Sequence, residues 1–410
     1  MIRWLDRAGL GATLLLPLFL LHGRGIAEAL VVMVAAAFLA RSAAARDWAW
    51  LRTGWVRVGL AWWIWLVACS AYAGPASLGQ AAGVVRFLLL VAALEHWALR
   101  DPAARHWLAR LLRWAALYIA VQSLVQFATG RNLFGQPRGA DGEVTGPYKN
   151  PRAGAPYSRL LFPALLPVAS RWLARPGWWP LAGAGLTLAG VVTTVLIGQR
   201  MPLLLTLLGL FVTALLLPRL RGAVIAAGVA MSLLLAATSV VSPPTFYRLV
   251  TKFQAQMADF PDSHYGQIAA RSVNIGMAHP VRGTGFDGFR TQCADPAYFG
   301  GWRGGDGGGA AMCVQHPHNP YMQAFVEGGV PGLLLFCALA LAWLRAAGQG
   351  LRRDPDPLRA GLFVAALIHL WPAASSTAFT SMPLSGWFFV LLGLGLAEAQ
   401  AYMTLQRPTP

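Results

Sequence analysis

Two imidazoles stand close together at His316 and His318, immediately before Asn319-Pro320. Asparagine followed by proline is a helix start: the amide side chain caps free N–H groups, and proline fits the first helical position. The double glycine Gly328-Gly329 predicts that this helix stops near Glu327. His318 therefore lies just ahead of a helix N-terminus, where the macrodipole disfavours imidazolium and favours a neighbouring anion. A neutral histidine there can take a proton as a general base. An ordinary solvated loop histidine fits the same local pattern, and nothing local separates His316 from His318.

Arginines supply the complementary chemistry. Arg200 lies between Leu196-Ile197-Gly198-Gln199 and Met201-Pro202, at a break between two apolar runs. A guanidinium aimed at an anion is one reading, and an arginine snorkelling to lipid headgroups is the other. Arg271 opens a helix-like run that reaches His279 and meets Pro280-Val281-Arg282-Gly283-Thr284-Gly285-Phe286-Asp287-Gly288-Phe289. A helix stopped by proline and followed by glycine turns presents an arginine rigidly, or uses it to anchor a loop. Arg138, Lys149 and the Asn150-Pro151-Arg152 step form either a cationic rim for an anionic headgroup or plain solvated charge. Arg86, inside Val84-Val85-Arg86-Phe87, is an intramembrane cation without an assigned role.

Carboxylates offer less. Asp141 and Glu143 are a weak candidate pair for acid–base work, and Asp354-Pro355-Asp356 has the look of a nucleotide-sugar site but lies in a basic loop. There is no Walker loop and no Gly-x-Ser-x-Gly elbow. Cys293 and Cys313 flank a glycine-rich stretch at 304–309, and a bridge between them is expected in an oxidising compartment. With His316 they are too few soft ligands for zinc, so neither a metal nor a cofactor is expected. Cys69 and Cys337 read as apolar filler.

The scaffold for these residues is a membrane protein. The chain is 56% hydrophobic and only 12% charged, against about a quarter charged for soluble domains. Its 33 Lys+Arg against 16 Asp+Glu fall in short clusters between apolar runs. That is the pattern that orients a polytopic protein, and it argues against nucleic-acid binding. Apolar windows of roughly 17–25 residues can be laid down about twelve times. They centre near Leu16, Met33, Ile64, Leu89, Tyr118, Leu165, Thr187, Leu208, Met231, Leu335, Ala365 and Val390. The first, at 10–21 after Arg3 and Arg7, reads as a retained span and not as a cleaved signal.

Alternate connections are basic, which predicts an all-α polytopic fold with both termini in the cytoplasm. Two long connections lie on the opposite side, at 129–159 and at 242–317, the larger between the ninth and tenth spans. The larger carries enough aromatic and apolar residues to be partly helical. An amphipathic helix is expected over 245–257 and a flexible tip at 304–309. No tandem repeat and no soluble domain of any size is evident.

Order and topology together resemble the O-antigen ligase and polymerase family, integral-membrane glycosyltransferases acting on undecaprenyl-diphosphate-linked glycans. The resemblance rests on the span count, the long loop before the tenth span and Arg200 in a hairpin. It rests also on Arg271 followed by Pro280, Gly283, Gly285 and Phe289, and on His318 and Gly328 separated by nine residues with Asn319 beside the histidine. It selects His318 over His316. The family usually has Ser-Arg where this chain has Gln199-Arg200.

The resemblance implies an inverting, metal-independent transfer of glycan from undecaprenyl diphosphate to a lipid A–core sugar hydroxyl. The site would face the periplasm, at the bacterial inner membrane. His318 would be the base, Arg200 and Arg271 would hold the diphosphate, and Arg138, Lys149 and Asn319 would line the substrate. Ligase is favoured over O-antigen polymerase and over protein O-oligosaccharyltransferase. A rival of another class, a transporter of an anionic lipid or solute, draws on Arg86, Arg200 and the basic rim, but paired broken-helix repeats are not seen.

Overall fold

A computed structural model describes residues 2–139, 142–150, 153–375 and 378–406. The first half holds α1 (Ile2–His22), α2 (Arg24–Ala45), α3 (Gly54–Ala73), α4 (Pro75–Gly83), α5 (Val85–Ala93), α6 (Pro102–Thr129), α7 (Gly154–Leu173) and α8 (Trp179–Ile197). After these come α9 (Arg200–Leu216), α10 (Arg221–Val241), and then the short helices α11 (Pro243–Phe246), α12 (Lys252–Ala258), α13 (His264–Ala278) and α14 (Gly288–Gln292). The chain closes with α15 (Pro320–Ala347), α16 (Pro357–His369) and α17 (Leu384–Leu405).

Every window centre expected from hydropathy falls inside one of these helices. Among the described residues, nine helical stretches are long and apolar enough to cross a membrane, and α9 and α16 are shorter apolar helices. The chain is a multi-pass membrane protein. α17 runs through the middle, buried along nearly its whole length, against α1, α5, α6, α7, α15 and α16. Between apolar helices in lipid, close packing replaces the hydrophobic drive, so small residues mark the tight contacts. Gly361 of α16 is one: a Cβ there would meet the Pro163 backbone of α7 at 2.7 Å.

Local chemistry sets the helix ends. Asp101 caps α6 through the Ala103 amide, with Pro102 at the first position. Asp356 caps α16 through the Arg359 amide, which gives the Asp354-Pro355-Asp356 step a structural use. Arg86 donates to Glu28 Oε2 at 3.2 Å and to the Gly83 carbonyl at 2.5 Å, and lies over Phe87. It bridges α2 to the break between α4 and α5.

The first long connection is shorter than expected. It closes at Ala153, and Arg159 belongs to α7, fully buried, donating through Nε to His369 Nδ1 at 2.8 Å. Buried amides organise this loop. Gln126 Oε1 accepts from the Thr145 and Gly146 amides at 2.8 and 3.0 Å, and Gln126 Nε2 donates to the Pro137 carbonyl at 2.9 Å. Asn132 Nδ2 donates to the Gly146 carbonyl at 2.7 Å. Residues 243–258 are helical throughout, with a wider turn at Tyr247–Thr251. Arg248 of that turn pairs with Glu143, tying the two long connections together and giving Glu143 an ion-pair role. Asp141, Pro151 and Arg152 lie outside the described residues.

The two residues just before the glycine-rich tip are bonded to the segment around α13. Trp302 Nε1 donates to the Gly266 carbonyl at 2.7 Å, and Arg303 reaches Asp259 and Asp262 at 2.6 and 3.1 Å. These partners lie more than thirty residues away in sequence, so composition alone could not reveal them.

Candidate active site

The site is built on a broken helix. α15 turns regularly from Pro320 to Gly328, loses helical geometry at Gly329 (φ 64°, ψ −161°), and resumes at Val330. The helix expected to end at Glu327 thus stops only locally, and its second half continues as the apolar span. A break strands carbonyls that must find donors elsewhere. The loop after α13 provides them: the Thr284 amide donates to Val326 O at 2.9 Å and the Gly285 amide to Glu327 O at 3.0 Å. Trp65 Nε1 of α3 donates to Gly328 O at 2.8 Å. In return, the Val330 amide donates to Pro280 O at 2.7 Å.

Side chains complete the joint. Glu327 Oε1 accepts from the Asp287 amide at 3.1 Å and from Gln323 Nε2 at 3.0 Å. The Phe286 amide donates to Ser70 Oγ, and Ser77 Oγ donates to Phe286 O, each at 2.9 Å. A Cβ at Gly283 would meet the Glu327 carbonyl carbon at 2.5 Å. The two glycine-bearing motifs read separately from the sequence, 280–289 and 328–329, are therefore the two halves of one joint. That joint aims the half-helix that begins next to His318.

His318 is partly exposed and takes a left-handed backbone, φ 57°. Its ring lies 4.5 Å from the His316 ring and edge-on to Tyr265 at 5.9 Å, centroid to centroid. Asn319, expected among substrate ligands, is fully engaged in structure. Its Oδ1 accepts from the Tyr321 and Met322 amides, and its Nδ2 donates to Pro372 O at 2.6 Å. It fixes the residue beside the imidazole to both α15 and the connection before α17.

The arginines differ in how they are held. Arg200 is the first residue of α9 and donates to Gln256 Oε1 of α12. The preceding Gln199 accepts from the Gly154 amide at 3.1 Å, so α7 and α9 begin side by side with their positive dipole ends together. That use explains a large amide at the position where a serine was expected.

Arg271 is only 2% exposed. Nη1 donates to Cys293 O, and Nη2 donates to Gly309 O at 3.2 Å and Asp306 O at 3.4 Å. Phe299 covers the guanidinium plane at 4.3 Å. Cys293 and Cys313 form a disulfide, and both sulfurs lie 3.9 Å from Nη1. Burial lowers the Arg271 pKa from its ordinary value, and Asp306 acts in the opposite direction. This is an arginine turned inward to hold a loop. Its rigid presentation was legible in the sequence, but the direction in which it points was not.

Arg138 donates to Gln126 O at 3.2 Å and covers Phe127, while Lys149 is exposed. The elements connect in a chain. Arg200 touches α12, the 259–262 turn leads from α12 into α13, and α13 carries both Tyr265 against His318 and Arg271 in the disulfide loop. The uses of Gln199, Trp65, Glu327 and Tyr265 are not legible in the sequence, because a lone glutamine, tryptophan, glutamate or tyrosine carries no spacing signal.

Arg271→Lys is expected to loosen the loop, since one ammonium cannot span three carbonyls in the plane of a guanidinium. Limited proteolysis at 304–309 should then run at least several-fold faster than in the unmodified protein. An unchanged cleavage rate would show that the carbonyl cage does not hold the tip.

Comparison with known proteins places these residues in context. Residues 185–337 match the family described as O-antigen ligase, a stretch that contains Arg200, Arg271, His318 and Gly328. The chain matches none of the curated proteins. A solved structure described as "Structural coordination of polymerization and crosslinking by a peptidoglycan synthase complex" has a similar chain at 18% identity and TM-score 0.44, covering 85% of this chain and 98% of that one.

Proposed function

We propose that this chain, whose residues 185–337 match the O-antigen ligase family, transfers glycan from undecaprenyl diphosphate to a sugar hydroxyl of lipid A–core. It does so at the periplasmic face of the bacterial inner membrane, through about twelve spans with both termini in the cytoplasm. The observation that carries the reading is the placement of His318: a partly exposed imidazole beside the start of a half-helix, held by a joint built from the family-like glycine motifs.

The acceptor hydroxyl gives its proton to His318, and its oxygen forms a bond to the anomeric carbon from the face opposite the leaving group. The bond from that carbon to the diphosphate oxygen breaks, and its electron pair leaves with the diphosphate. The configuration inverts. Charge grows on the leaving group, so a cation at the paired N-termini of α7 and α9 stabilises the transition state. Arg200 is placed there. Lys149, exposed on the first loop, supplies further positive charge, and Arg138 and Asn319 act by shaping that rim. Arg271 serves the site by holding the disulfide loop that follows the 280–289 joint.

Arg200→Ala should lower transfer about 10²-fold, the scale for losing one preorganised donor to developing negative charge. Arg200→Lys should recover little of that loss. Full activity in Arg200→Ala would remove this residue from the donor site.

The decisive experiment uses purified protein in detergent with a lipid-diphosphate-linked glycan and lipid A–core. Glycan should appear on lipid A–core. A transporter cannot produce that change without compartments, so absence of transfer sinks the enzyme reading. A polymerase would instead lengthen the donor glycan when lipid A–core is omitted.

A further inference from the structure

Tyr265 takes no part in the chemistry described above, yet it is the aromatic ring that stands against His318. It is 43% exposed, and its contacts are edge-on rings, His318 at 5.9 Å and His264 at 5.9 Å between centroids. Its backbone is rigidly set. Ser263 caps α13 by accepting from the Gly266 amide at 3.1 Å, and Gly266 abuts the Phe260 carbonyl so tightly that no Cβ fits. Trp302 Nε1 locks the same turn through the Gly266 carbonyl. The backbone that carries the ring is thus fixed, and much of the ring's surface faces outward beside the imidazole that would receive the acceptor's proton.

The open part of this ring offers apolar surface that a ligand beside His318 can cover, because apolar surface favours removal from water. A pyranose ring presents an apolar face of C–H bonds and a polar rim of hydroxyls, which matches an aromatic ring flanked by imidazoles. We propose that Tyr265 is a specificity-determining residue that stacks on the sugar ring carrying the reactive acceptor hydroxyl, and so delivers that hydroxyl to His318. The proposal rests on the reading of His318 as the base. It assigns the acceptor, not the donor, because the proton that His318 takes is the acceptor's.

Steady-state transfer by purified protein in detergent, with lipid-linked glycan and lipid A–core varied independently, tests this. Tyr265→Ala should raise the acceptor KM about tenfold, with kcat and donor KM changed less than threefold. Tyr265→Phe and Tyr265→Trp should stay within threefold of the unmodified protein, since the ring and not the hydroxyl does the stacking. Two results would overturn the proposal: an acceptor KM unmoved in Tyr265→Ala, or Tyr265→Phe as defective as Tyr265→Ala. An equal rise in both KM values would also overturn it, as would be found if the ring only anchors the loop. Failure of the base reading looks different: His318→Ala would then remain active in the same assay, whatever the tyrosine variants do.

Discussion

Replacing His318 with alanine is expected to lower glycan transfer by about 10²–10⁴-fold, the range for a general base in a proton-coupled step. The loss should fall on kcat, because the imidazole matters most as the hydroxyl proton moves. One structural detail complicates the choice of variant. His318 has φ 57°, a backbone that a β-carbon tolerates poorly except in residues such as asparagine. His318→Asn therefore keeps the backbone preference while removing the base, and it should lose as much activity as His318→Ala.

His316→Ala is the matching control. The two rings are 4.5 Å apart, so a general disturbance of the loop would depress both variants alike. A loss under tenfold for His316→Ala beside the full loss for His318→Asn would assign the base. The reverse ranking, or transfer retained in a folded His318→Asn protein, would end the assignment. Protein recovered from the membrane as a single symmetric peak on size exclusion establishes that the variant has folded.

Much of this architecture was legible because membrane physics leaves few options. Apolar length marks where helices run, and each expected centre falls in one. What was legible at the site was composition and order, with Arg200 at a break between two apolar runs and Arg271 on a helix ended before a proline. What was not legible was long-range partnering. Arg271 is satisfied by carbonyls up to thirty-eight residues away, and no local pattern says whether a guanidinium turns outward to a ligand or inward to a loop. The same holds for Gln199, whose use depends on Gly154, forty-five residues earlier. Asn319 illustrates the same point, since its capping role was clear while its second bond, to Pro372, depends on a partner fifty-three residues away.

The glycine pair after the half-helix makes the strongest test of the joint, because its two members should respond very differently. Gly328 stands at the family-like distance from His318, yet a Cβ there would meet only the edge of the Trp65 indole, at 3.3 Å. A side chain can give way by that much, so Gly328→Ala should retain more than a tenth of the transfer rate. Gly329 has no such freedom. Its φ and ψ of 64° and −161° lie in a region open essentially to glycine alone, with strain of about 1–3 kcal/mol for any other residue. A Cβ would also meet the Pro280 and Val281 carbonyl oxygens at 2.5 and 2.7 Å. These atoms belong to backbone that is itself bonded to α15, so relief requires the 280–289 loop to leave. The bonds from Val330 to Pro280, from Thr284 to Val326 and from Gly285 to Glu327 would go with it. Several buried carbonyls left without donors cost about 1–3 kcal/mol each, against a total stability of about 5–15 kcal/mol for a typical domain. Gly329→Ala should therefore abolish transfer, and either fail to accumulate in the membrane or leave residues 280–289 open to protease, although His318 and Arg200 are untouched. Equal damage from Gly328→Ala and Gly329→Ala, or a fully active Gly329→Ala protein, would show that the joint does not aim the half-helix.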